Sequence, residues 1–429
     1  MDIIGIMTGN SLDACDLVLT RFIEDRMQDL AFATFPISKS LQKDISLLKK
    51  KVQNKEFLLE SISLDPFFIQ VHQRYIKWVA SSVKKFLKQN SLTRRDVDLI
   101  GFHGQTLDHN PPSVATSFDE VYTLQMGSGD YLSDLTQIPV ISDFRSDDMM
   151  NKGEGAPLIP PHNEHFSKML GLDECIFYNA GNTSNLAVIQ NKKVVQGFDS
   201  GPFNELSDYL VRFYKKESYD KDTCWGLKGK LDFELLDTLF QKAALLKTNQ
   251  NFFLLSPPKS ADPSLYGFKY QLKPKNDAEF YQMLHTVQYF AGYIAAYSLK
   301  YIQSKKLPNT FVLFGGGWKN KVSLQAFSNL LTGNGFELSD HQKDFKEIRS
   351  RLSGAPKILM PKGADYMEAR LMADLAYFFE IKKPWTNFNL TGVQNQVVLG
   401  KKSQPDSSRK TYSDLVSRAN KGWQRFLKQ

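Results

Sequence analysis

The first forty residues alternate between short apolar segments and turn-forming residues. An apolar segment at residues 3–7 is followed by Thr8-Gly9-Asn10-Ser11, which has the composition of a turn. Residues 15–22 then alternate between apolar and polar positions, and residues 29–36 form a third segment of this kind. Alternation with a period of two is typical of a half-buried strand. The opening therefore predicts a strand, a tight turn and two further strands.

A second series of the same kind begins near Glu174. We predict strands at 174–179, 184–190 and 193–198, with a turn at 180–183 between the first two. The two series share a pattern and not residue identities. Two copies of one α/β plan, with a site between them, is the simplest interpretation.

In much of the remaining chain, apolar residues have the spacing that is typical of helices. Between residues 65 and 88, apolar residues recur every three or four positions, at Phe68, Val71, Tyr75, Val79 and Val83. Further helices are predicted at 203–215, 230–244, 276–303 and 364–380 and after Gly317, and further strands at 97–102, 121–126, 138–142 and 310–314. This mixture indicates an α/β protein of two domains.

The bulk composition agrees with a globular protein of two domains. The chain has 429 residues, of which 42% are hydrophobic and 23% charged, and a domain holds roughly 100 to 200 residues. No apolar run approaches the ~18 residues that a transmembrane helix needs. The N-terminus lacks the pattern of a signal peptide, and the three scattered cysteines form no CxxC pair. We therefore expect a cytoplasmic protein.

The net charge of +8 is concentrated at the C-terminus. Residues 401–429 contain eight Lys or Arg and two Asp, a net charge of +6, which leaves +2 for the rest of the chain. A broad face that binds nucleic acid is therefore not expected. Within this tail, residues 412–427 have the spacing of a basic amphipathic helix. Membrane binding is one interpretation, and docking of the apolar side on the protein body is the one we favour.

Glycine-rich turns follow four of the predicted strands, at residues 9–11, 181–184, 197–201 and 315–317. Glycine lets backbone N–H groups approach an anion closely, although many strands simply turn on glycine. The chain has no P-loop, no G-x-G-x-x-G, no H-E-x-x-H and no G-x-S-x-G motif. Asp13 lies in the first turn, where it is either a capping residue or a Mg²⁺ ligand next to a phosphate.

Two other predicted strands end in polar residues. The strand at 138–142 is followed by Asp143 and Arg145, and the strand at 97–102 by His103 and Gln105. The carboxyl ends of strands are where open α/β sheets carry their chemistry. A structural, hydrogen-bonded histidine is the competing interpretation of His103.

Taken in order, these segments resemble the anhydro-N-acetylmuramic acid kinase family. The resemblance covers most of residues 1–400 and is strongest in TLQMGSGDYLSDLTQIPVISDFRSDDMMNKGEGAPLIP, at residues 123–160. Further segments that resemble the family are GIMTGNSLDACDLVL, GFHGQTLDHNP, NAGNTSNLAVI, GFDSGPFNELSD, FLLSPPKSADPS, LFGGGWKN, GADYMEARLMADLAY and TGVQNQVVLG. The family has the fold of the actin, hexokinase and Hsp70 group. The resemblance thus implies two actin-like (ribonuclease H-like) lobes with a cleft between them.

With this fold we expect an N-terminal lobe at 1–170, a C-terminal lobe at 171–383 and an extension with the amphipathic helix at 384–429. Family members add water to C1 of a 1,6-anhydro sugar released in cell-wall turnover and phosphorylate O6 with ATP. The resemblance implies that Asp143 is the base that deprotonates this water. It implies Mg²⁺ as a cofactor, held by Asp13 and Glu368, and sugar contacts from His103, Gln105 and Arg145. The ATP-binding residues implied are Gly9, Asn10, Ser11, Asp13, Gly181, Asn182, Asp199, Gly201, Gly315, Gly316, Gly317 and Asn320.

Several positions depart from the family pattern, among them Asn10, Ala14, Asn182 and Phe203. Asn tolerates positive φ, so we expect Asn182 to keep a glycine-like turn. Ala14 and Phe203 would strain such a turn. Two alternatives stay open: a kinase of another 1,6-anhydro sugar such as levoglucosan, and a non-catalytic actin-like protein that binds nucleotide or sugar. The expected partners are the small molecules alone, without nucleic acid or membrane, and a homodimer is compatible with the resemblance.

Overall fold

The computed structural model describes the chain except for residues 10, 11, 25, 58, 60, 113–114, 116–119, 243–249, 258, 260–268, 386–390 and 417–429. The strands are β1 (Asp2–Thr8), β2 (Ala14–Ile23), β3 (Arg26–Pro36), β4 (Leu99–Phe102), β5 (Gln105–Asn110), β6 (Tyr122–Met126), β7 (Val140–Ser142), β8 (Cys175–Ala180), β9 (Thr183–Gln190), β10 (Lys193–Pro202), β11 (Thr310–Phe314), β12 (Lys357–Leu359) and β13 (Lys401–Ser403). The helices are α1 (Lys39–Gln53), α2 (Pro66–Gln89), α3 (Gly129–Thr136), α4 (Ser146–Met150), α5 (Ile159–Met169), α6 (Asn204–Tyr214), α7 (Phe233–Gln241), α8 (Asp277–Tyr297), α9 (Lys321–Thr332), α10 (Gln342–Arg351) and α11 (Met367–Glu380).

The chain divides into two compact units. Unit 1 comprises Met1–Met169 and Tyr366–Gln429, and unit 2 comprises Leu170–Asp365. Each unit has a hydrophobic core of its own, made from the apolar faces of its sheet and helices. Within the described part of the chain, no helix is long and apolar enough to span a bilayer.

The sheet of unit 1 has the strand order β13-β7-β4-β1-β2-β3. Strands β1, β2 and β3 pair antiparallel, as expected for strands joined by tight turns, whereas β1, β4 and β7 pair parallel. The apolar opening of the chain is central in this sheet, which explains why its residues are almost continuously buried. The parallel arrangement brings the carboxyl ends of β1, β4 and β7 to one edge.

The sheet of unit 2 has the order β10-β9-β8-β11-β12. Its first three strands pair antiparallel, and β8, β11 and β12 pair parallel. Strands β5 and β6 form a separate two-stranded sheet. When only the strands of each main sheet are counted, both sheets have the order third, second, first, fourth, fifth, with β13 added at the edge in unit 1. This is the ribonuclease H-like order of actin-like domains. The predicted repeat and the predicted actin-like fold of both halves are confirmed.

Helix α11 belongs to unit 1, although the predicted C-terminal lobe extended to residue 383. It packs directly on the sheet of unit 1 at two glycines. A Cβ atom at Gly5 would lie 1.9 Å from the carbonyl oxygen of Ala369, and one at Gly101 would lie 1.9 Å from that of Met372. Only glycine allows a helix backbone to come so close to a strand. The packing partner, and not position in the sequence, therefore decides to which unit this helix belongs.

The segment after residue 390 is also structured in unit 1. Lys401–Ser403, in the basic tail, form the edge strand β13, antiparallel to β7. Residues 412–416 are helical, and Val416 is only 3% exposed. Leu415 packs against the core of unit 1. The remainder of the predicted amphipathic helix lies outside the described residues.

Candidate functional site

Asp143 lies directly after β7, at the edge where the parallel strands of unit 1 end. Its backbone has φ of +62°, a left-handed conformation that is uncommon for residues other than glycine, asparagine and aspartate. Oδ1 of its carboxylate accepts a hydrogen bond from the Ser146 hydroxyl. Oδ2 forms an ion pair with the Lys401 ammonium. A carboxylate at the carboxyl edge of parallel strands, oriented by donors on both oxygens, is typical of a functional position.

Lys401 was predicted only as one charge of the basic tail. The register of β13 against β7 pairs Lys401 with Ser142, one residue before Asp143. Lys401 and Asp143 are 258 positions apart in sequence, and no local signal in the sequence connects them. The antiparallel pairing of an edge strand brings them together.

His103 and Arg145 form a second polar group beside Asp143. Nε of Arg145 donates to Nε2 of His103 over 3.0 Å, and Nδ1 of His103 lies 2.9 Å from the carbonyl oxygen of Gly104. These partners assign a neutral imidazole that carries its proton on Nδ1. Burial, reinforced by the Arg145 charge, lowers the pKa of His103 to about 3. The imidazole is therefore neutral at physiological pH.

Arg145 also holds the loop that follows α4. One terminal nitrogen of its guanidinium donates to the carbonyl oxygen of Gly155 over 2.6 Å. Burial lowers the pKa of Arg145 to about 10, against the opposing effects of Glu368 and Asp148. Arg145 therefore remains a cation that a neutral histidine and a carbonyl orient.

Asp148 anchors the same loop and was not predicted as a site residue. It is fully buried. Its carboxylate accepts from the backbone N–H of Gly155 over 2.7 Å and from the Thr391 hydroxyl over 2.7 Å. A buried carboxylate satisfied by such partners fixes the chain around it. The 391–400 segment, through Thr391, thereby supports the loop that Arg145 contacts.

A polar cavity opens beside Asp143, and unit 1 supplies all of its lining. His103 and Asp143, two of the predicted site residues, lie in its wall together with the N-terminus of α3. The other polar groups around it are Gln125, Ser128, Asp130, Ser142, Lys401 and Ser403. Such a lining of hydroxyl, amide and charged groups can bind a polyhydroxylated molecule.

Gln105 is buried at the start of β5, near the first glycine turn. Its Nε2 lies 3.5 Å from the carbonyl oxygen of Gly9, and its Oε1 has no hydrogen-bond partner among the described residues. A buried acceptor without a partner costs free energy. Gln105 therefore offers an acceptor to a ligand.

The first glycine turn is described in part, because Asn10 and Ser11 lie outside the described residues. Gly9 accepts a backbone hydrogen bond from Leu12 over 3.2 Å. Asp13 is exposed, and its Oδ1 accepts from the N–H of Ala14 over 3.1 Å. Ala14 was expected to strain this turn, but it is the first residue of β2 and pairs regularly with Pro36.

Glu368 is the second residue of α11 and has a carboxylate neighbour that was not predicted. Although the residue is solvent-exposed, desolvation by the surrounding protein raises the pKa of its carboxyl. The negative charge of Asp16 raises it further, and Arg145 opposes both effects. Oδ1 of Asp16 is fixed by the Thr34 hydroxyl at 2.6 Å. Two like charges held near each other favour a cation.

The carboxylates of Asp16 and Glu368 suit a magnesium ion that binds through few protein ligands. Among the described residues, no group of three or more His, Cys, Asp or Glu could hold a metal by itself. Mg²⁺ commonly binds through one or two carboxylates and completes its shell with waters and substrate phosphates. The repelling pair of Asp16 and Glu368 suits that mode of binding.

In unit 2, the turn between β8 and β9 is tied to the start of α6. The carbonyl oxygen of Gly181 accepts from the N–H of Asn204 at 3.0 Å, and that of Asn182 accepts from Phe203 at 2.8 Å. Asn182 does not have positive φ, so the expectation that it replaces glycine in this way is wrong. Phe203 has φ of −126° and is equally free of glycine-like strain.

The Gly315–Gly317 turn follows β11. Gly315 has φ of +92°, and a Cβ atom there would lie 2.4 Å from the carbonyl oxygen of Ala180. A Cβ atom at Gly317 would lie 2.5 Å from Cδ1 of Phe203, which packs against Trp318 with ring centroids 4.7 Å apart. Close packing therefore requires glycine at these two positions. Gly316 meets nothing within 4 Å and leaves its backbone open.

The other predicted ATP-binding residues of unit 2 lie in regular elements. Asp199 and Gly201 are in β10, and the N–H of Asp199 donates to the carbonyl oxygen of Lys259 over 3.2 Å. Asn320 is the N-cap of α9, with its side chain accepting from Ser323 N–H at 3.0 Å. The N-terminus of α9 thus follows the glycine turn directly, an arrangement that suits an anion.

Comparisons with known proteins show which family this chain resembles. The family model for anhydro-N-acetylmuramic acid kinase matches residues 1–404. The anhydro-N-acetylmuramic acid kinase of Sulfurimonas denitrificans is 29% identical over 404 residues, covering 92% of this chain and 98% of that protein. The protein of the same name from Actinobacillus pleuropneumoniae serotype 7 is 30% identical over 332 residues, covering 76% and 83%.

Solved structures of sugar kinases are also similar to this chain, at a lower level. The ROK hexokinase from Thermus thermophilus has a TM-score of 0.36 at 12% identity and covers 88% of this chain, with all of that chain matched. The ROK family glucokinase from Streptomyces griseus in complex with glucose and AMPPNP has a TM-score of 0.38 at 10% identity and covers 87% and 99%. The family match, by contrast, extends over nearly the whole sequence. This chain belongs to the anhydro-N-acetylmuramic acid kinase family.

Proposed function

We propose that this protein is an ATP-dependent kinase that opens 1,6-anhydro-N-acetylmuramic acid with water and phosphorylates O6. One observation carries the proposal for the site. In a member of this family, the Asp143 carboxylate stands at the carboxyl edge of the unit 1 sheet, oriented by two donors and open to a polar cavity. This is the arrangement that a general base needs.

Asp143 is the base in this proposal. A carboxylate can accept about four hydrogen bonds, and Ser146 and Lys401 use one position on each oxygen. A remaining lone pair takes a proton from water as the water oxygen bonds to C1. The bond from C1 to O6 breaks, and its electron pair goes to O6. O6 then bonds to the γ-phosphorus of ATP, ADP leaves, and Asp143 later releases its proton to solvent.

Recognition of the sugar is assigned to the groups around Asp143. Arg145 supplies a fixed cation for the carboxylate of the lactyl substituent, and the neutral His103 keeps that cation in place. Gln105 offers an unused acceptor to a hydroxyl or amide N–H of the ligand. A site with placed polar groups discriminates strongly against ligands that leave those groups unpaired.

ATP is assigned to the glycine turns, on the support of the family match and of the backbone geometry. In unit 2, Gly316 and the N-terminus of α9 offer backbone N–H groups to phosphates. In unit 1, Gly9 and Asp13 are assigned to ATP with the family match as the only support. When bound, Mg²⁺ would neutralise phosphate charge during transfer. Asp13, Asp16 and Glu368 would hold the ion or its waters.

The test is an assay of the purified protein with ATP and Mg²⁺ in water enriched in oxygen-18. We expect 1,6-anhydro-N-acetylmuramic acid to give a 6-phosphate that carries the label at C1, because the attacking oxygen comes from water. Levoglucosan is the parallel substrate, since it lacks the lactyl and N-acetyl groups. Turnover of levoglucosan alone would reassign the substrate, and no turnover of either sugar would contradict a catalytic function.

A further inference from the structure

The C-terminal segment of unit 1 makes three contacts with the region around Asp143. Thr391 bonds to Asp148, the N–H of Gly400 donates to Oδ2 of Asp147 at 3.1 Å, and Lys401 pairs with Asp143. All three acceptors lie within a stretch of six residues that begins at Asp143. The pairing of β13 with β7 holds these contacts in register. The base is thus supported by a segment that is distant in sequence.

The two lysines of β13 face opposite sides of the strand. Lys401 turns toward Asp143 and lines the cavity, whereas Lys402 pairs with Glu380 of α11 at 2.7 Å. Alternation along a strand accounts for this difference. The side chains of Lys401 and Asp143 are 25% and 23% exposed, so this pair is more shielded from solvent than an ordinary surface ion pair. Because Lys402 lies next to Lys401 in the same strand but faces away from Asp143, it provides a natural control for Lys401.

We propose that Lys401 is a positioning residue for Asp143, an inference that rests on the proposed function. A carboxylate held by one donor alone can still rotate about its last side-chain bond. Ser146 holds Oδ1 from the start of α4, and Lys401 holds Oδ2 from β13. Two donors on different elements define the plane of the carboxylate, and so the direction of the lone pair that accepts the proton. A base displaced by even 1 Å can lose about a hundredfold in rate.

The test compares Lys401→Met, Lys401→Arg and Lys402→Met in the full-length protein. Methionine keeps much of the length of lysine and removes the charge. We expect Lys401→Met to lower kcat by about 10- to 100-fold, with the KM values for ATP and sugar close to wild type. Lys401→Arg should recover part of kcat, because a cation again reaches Oδ2. Lys402→Met should keep the kcat of the wild type.

Thermal unfolding of the same variants separates positioning from a structural role. Both methionine variants remove one partly exposed ion pair, so their melting temperatures should be similar. Equal kcat in Lys401→Met and Lys402→Met would overturn the inference and leave the proposed function intact. A rise in the KM for sugar at unchanged kcat would instead make Lys401 a substrate contact. An inactive wild-type protein would overturn the proposed function and this inference together.

Discussion

Arg145 donates from Nε to Nε2 of His103 over 3.0 Å, so a cation and a neutral imidazole form one rigid group beside Asp143. The bond requires an unprotonated Nε2, which agrees with the pKa of about 3 that burial imposes on His103. In this pair the histidine is an acceptor that orients the arginine. Proton transfer in the proposed reaction is left to Asp143.

Arg145→Lys should impair the enzyme although it keeps the charge. The guanidinium bonds to His103 and Gly155 at once from a planar group, and a single ammonium cannot reproduce both bonds. Loss of one charged hydrogen bond costs about 2 kcal/mol, so kcat/KM for the sugar should fall about 30-fold. Arg74→Lys is the control, because Arg74 pairs with Asp44 at the surface. An Arg145→Lys variant as active as this control would contradict the assigned role.

Asp143→Asn should remove the base and keep the volume of the side chain. We expect kcat to fall by about 10²- to 10⁴-fold, the usual contribution of a general base. ATP affinity should remain within a few-fold of wild type, because Asp143 is not assigned to the phosphates. Steady-state kinetics and isothermal titration with a non-hydrolysable ATP analogue measure the two effects. Near-normal turnover would move the base to another residue.

Glu368→Gln should raise the Mg²⁺ concentration required for half-maximal activity by about tenfold, a common effect for residues around a metal. The substitution should not lower the melting temperature, because it removes the repulsion between the carboxylates of Glu368 and Asp16. This repulsion helps to raise the pKa of Glu368. Asp13→Asn, titrated in parallel, tests a second of the three proposed ligands. Glu347→Gln, at an exposed position in unit 2, is the control. Wild-type Mg²⁺ dependence in both site variants would place the metal elsewhere.

Deleting residues 405–429 should destabilise unit 1. Arg409 forms ion pairs with Asp134 at 3.0 Å and with Asp130 at 3.2 Å, and the Tyr412 hydroxyl lies 2.6 Å from Nδ1 of His72. Without this segment, two nearly buried carboxylates lose their cation. We expect a fall of about 4 °C or more in melting temperature, with binding to anionic vesicles unchanged. Lys410→Ala is the control for an exposed charge. An unchanged melting temperature with lost vesicle binding would support membrane attachment instead.

Unit 1 should lose stability as the pH falls below the usual pKa of histidine. Burial lowers the pKa of His72 to about 3 in the folded protein, from an ordinary value of 6.5. Between these values the unfolded chain binds the extra proton, so the stability from His72 is present at neutral pH and is lost on acidification. At pH 5 this loss is about 2 kcal/mol. Urea unfolding at pH 7.5 and pH 5 should show a smaller difference for His72→Gln than for wild type. His285→Gln, in unit 2, is the control.

Much of the architecture follows from local patterns. The apolar strands at the start of each unit and the helix at 65–88 arise from the periodicity of apolar residues, and all appear in the structure. Asp143 and His103 were recognised because each follows an apolar strand, and parallel strands bring such ends to one edge. The family resemblance predicted their roles. Local sequence carried no comparable signal for Ser146, Asp148 or Asp16, which are ordinary polar residues until their neighbours are known.

Periodicity and resemblance are enough to predict the two α/β sheets, the family and the residue proposed as the base. The groups that surround this residue, in contrast, come together only in the folded chain. Helix α11 joins unit 1 because Gly5 and Gly101 admit its backbone, and Lys401 reaches Asp143 because β13 completes the sheet edge. Periodicity reports which face of an element is buried, but not which distant element covers it. That choice depends on close packing and on the pairing of buried charges, which exist only once the chain has folded.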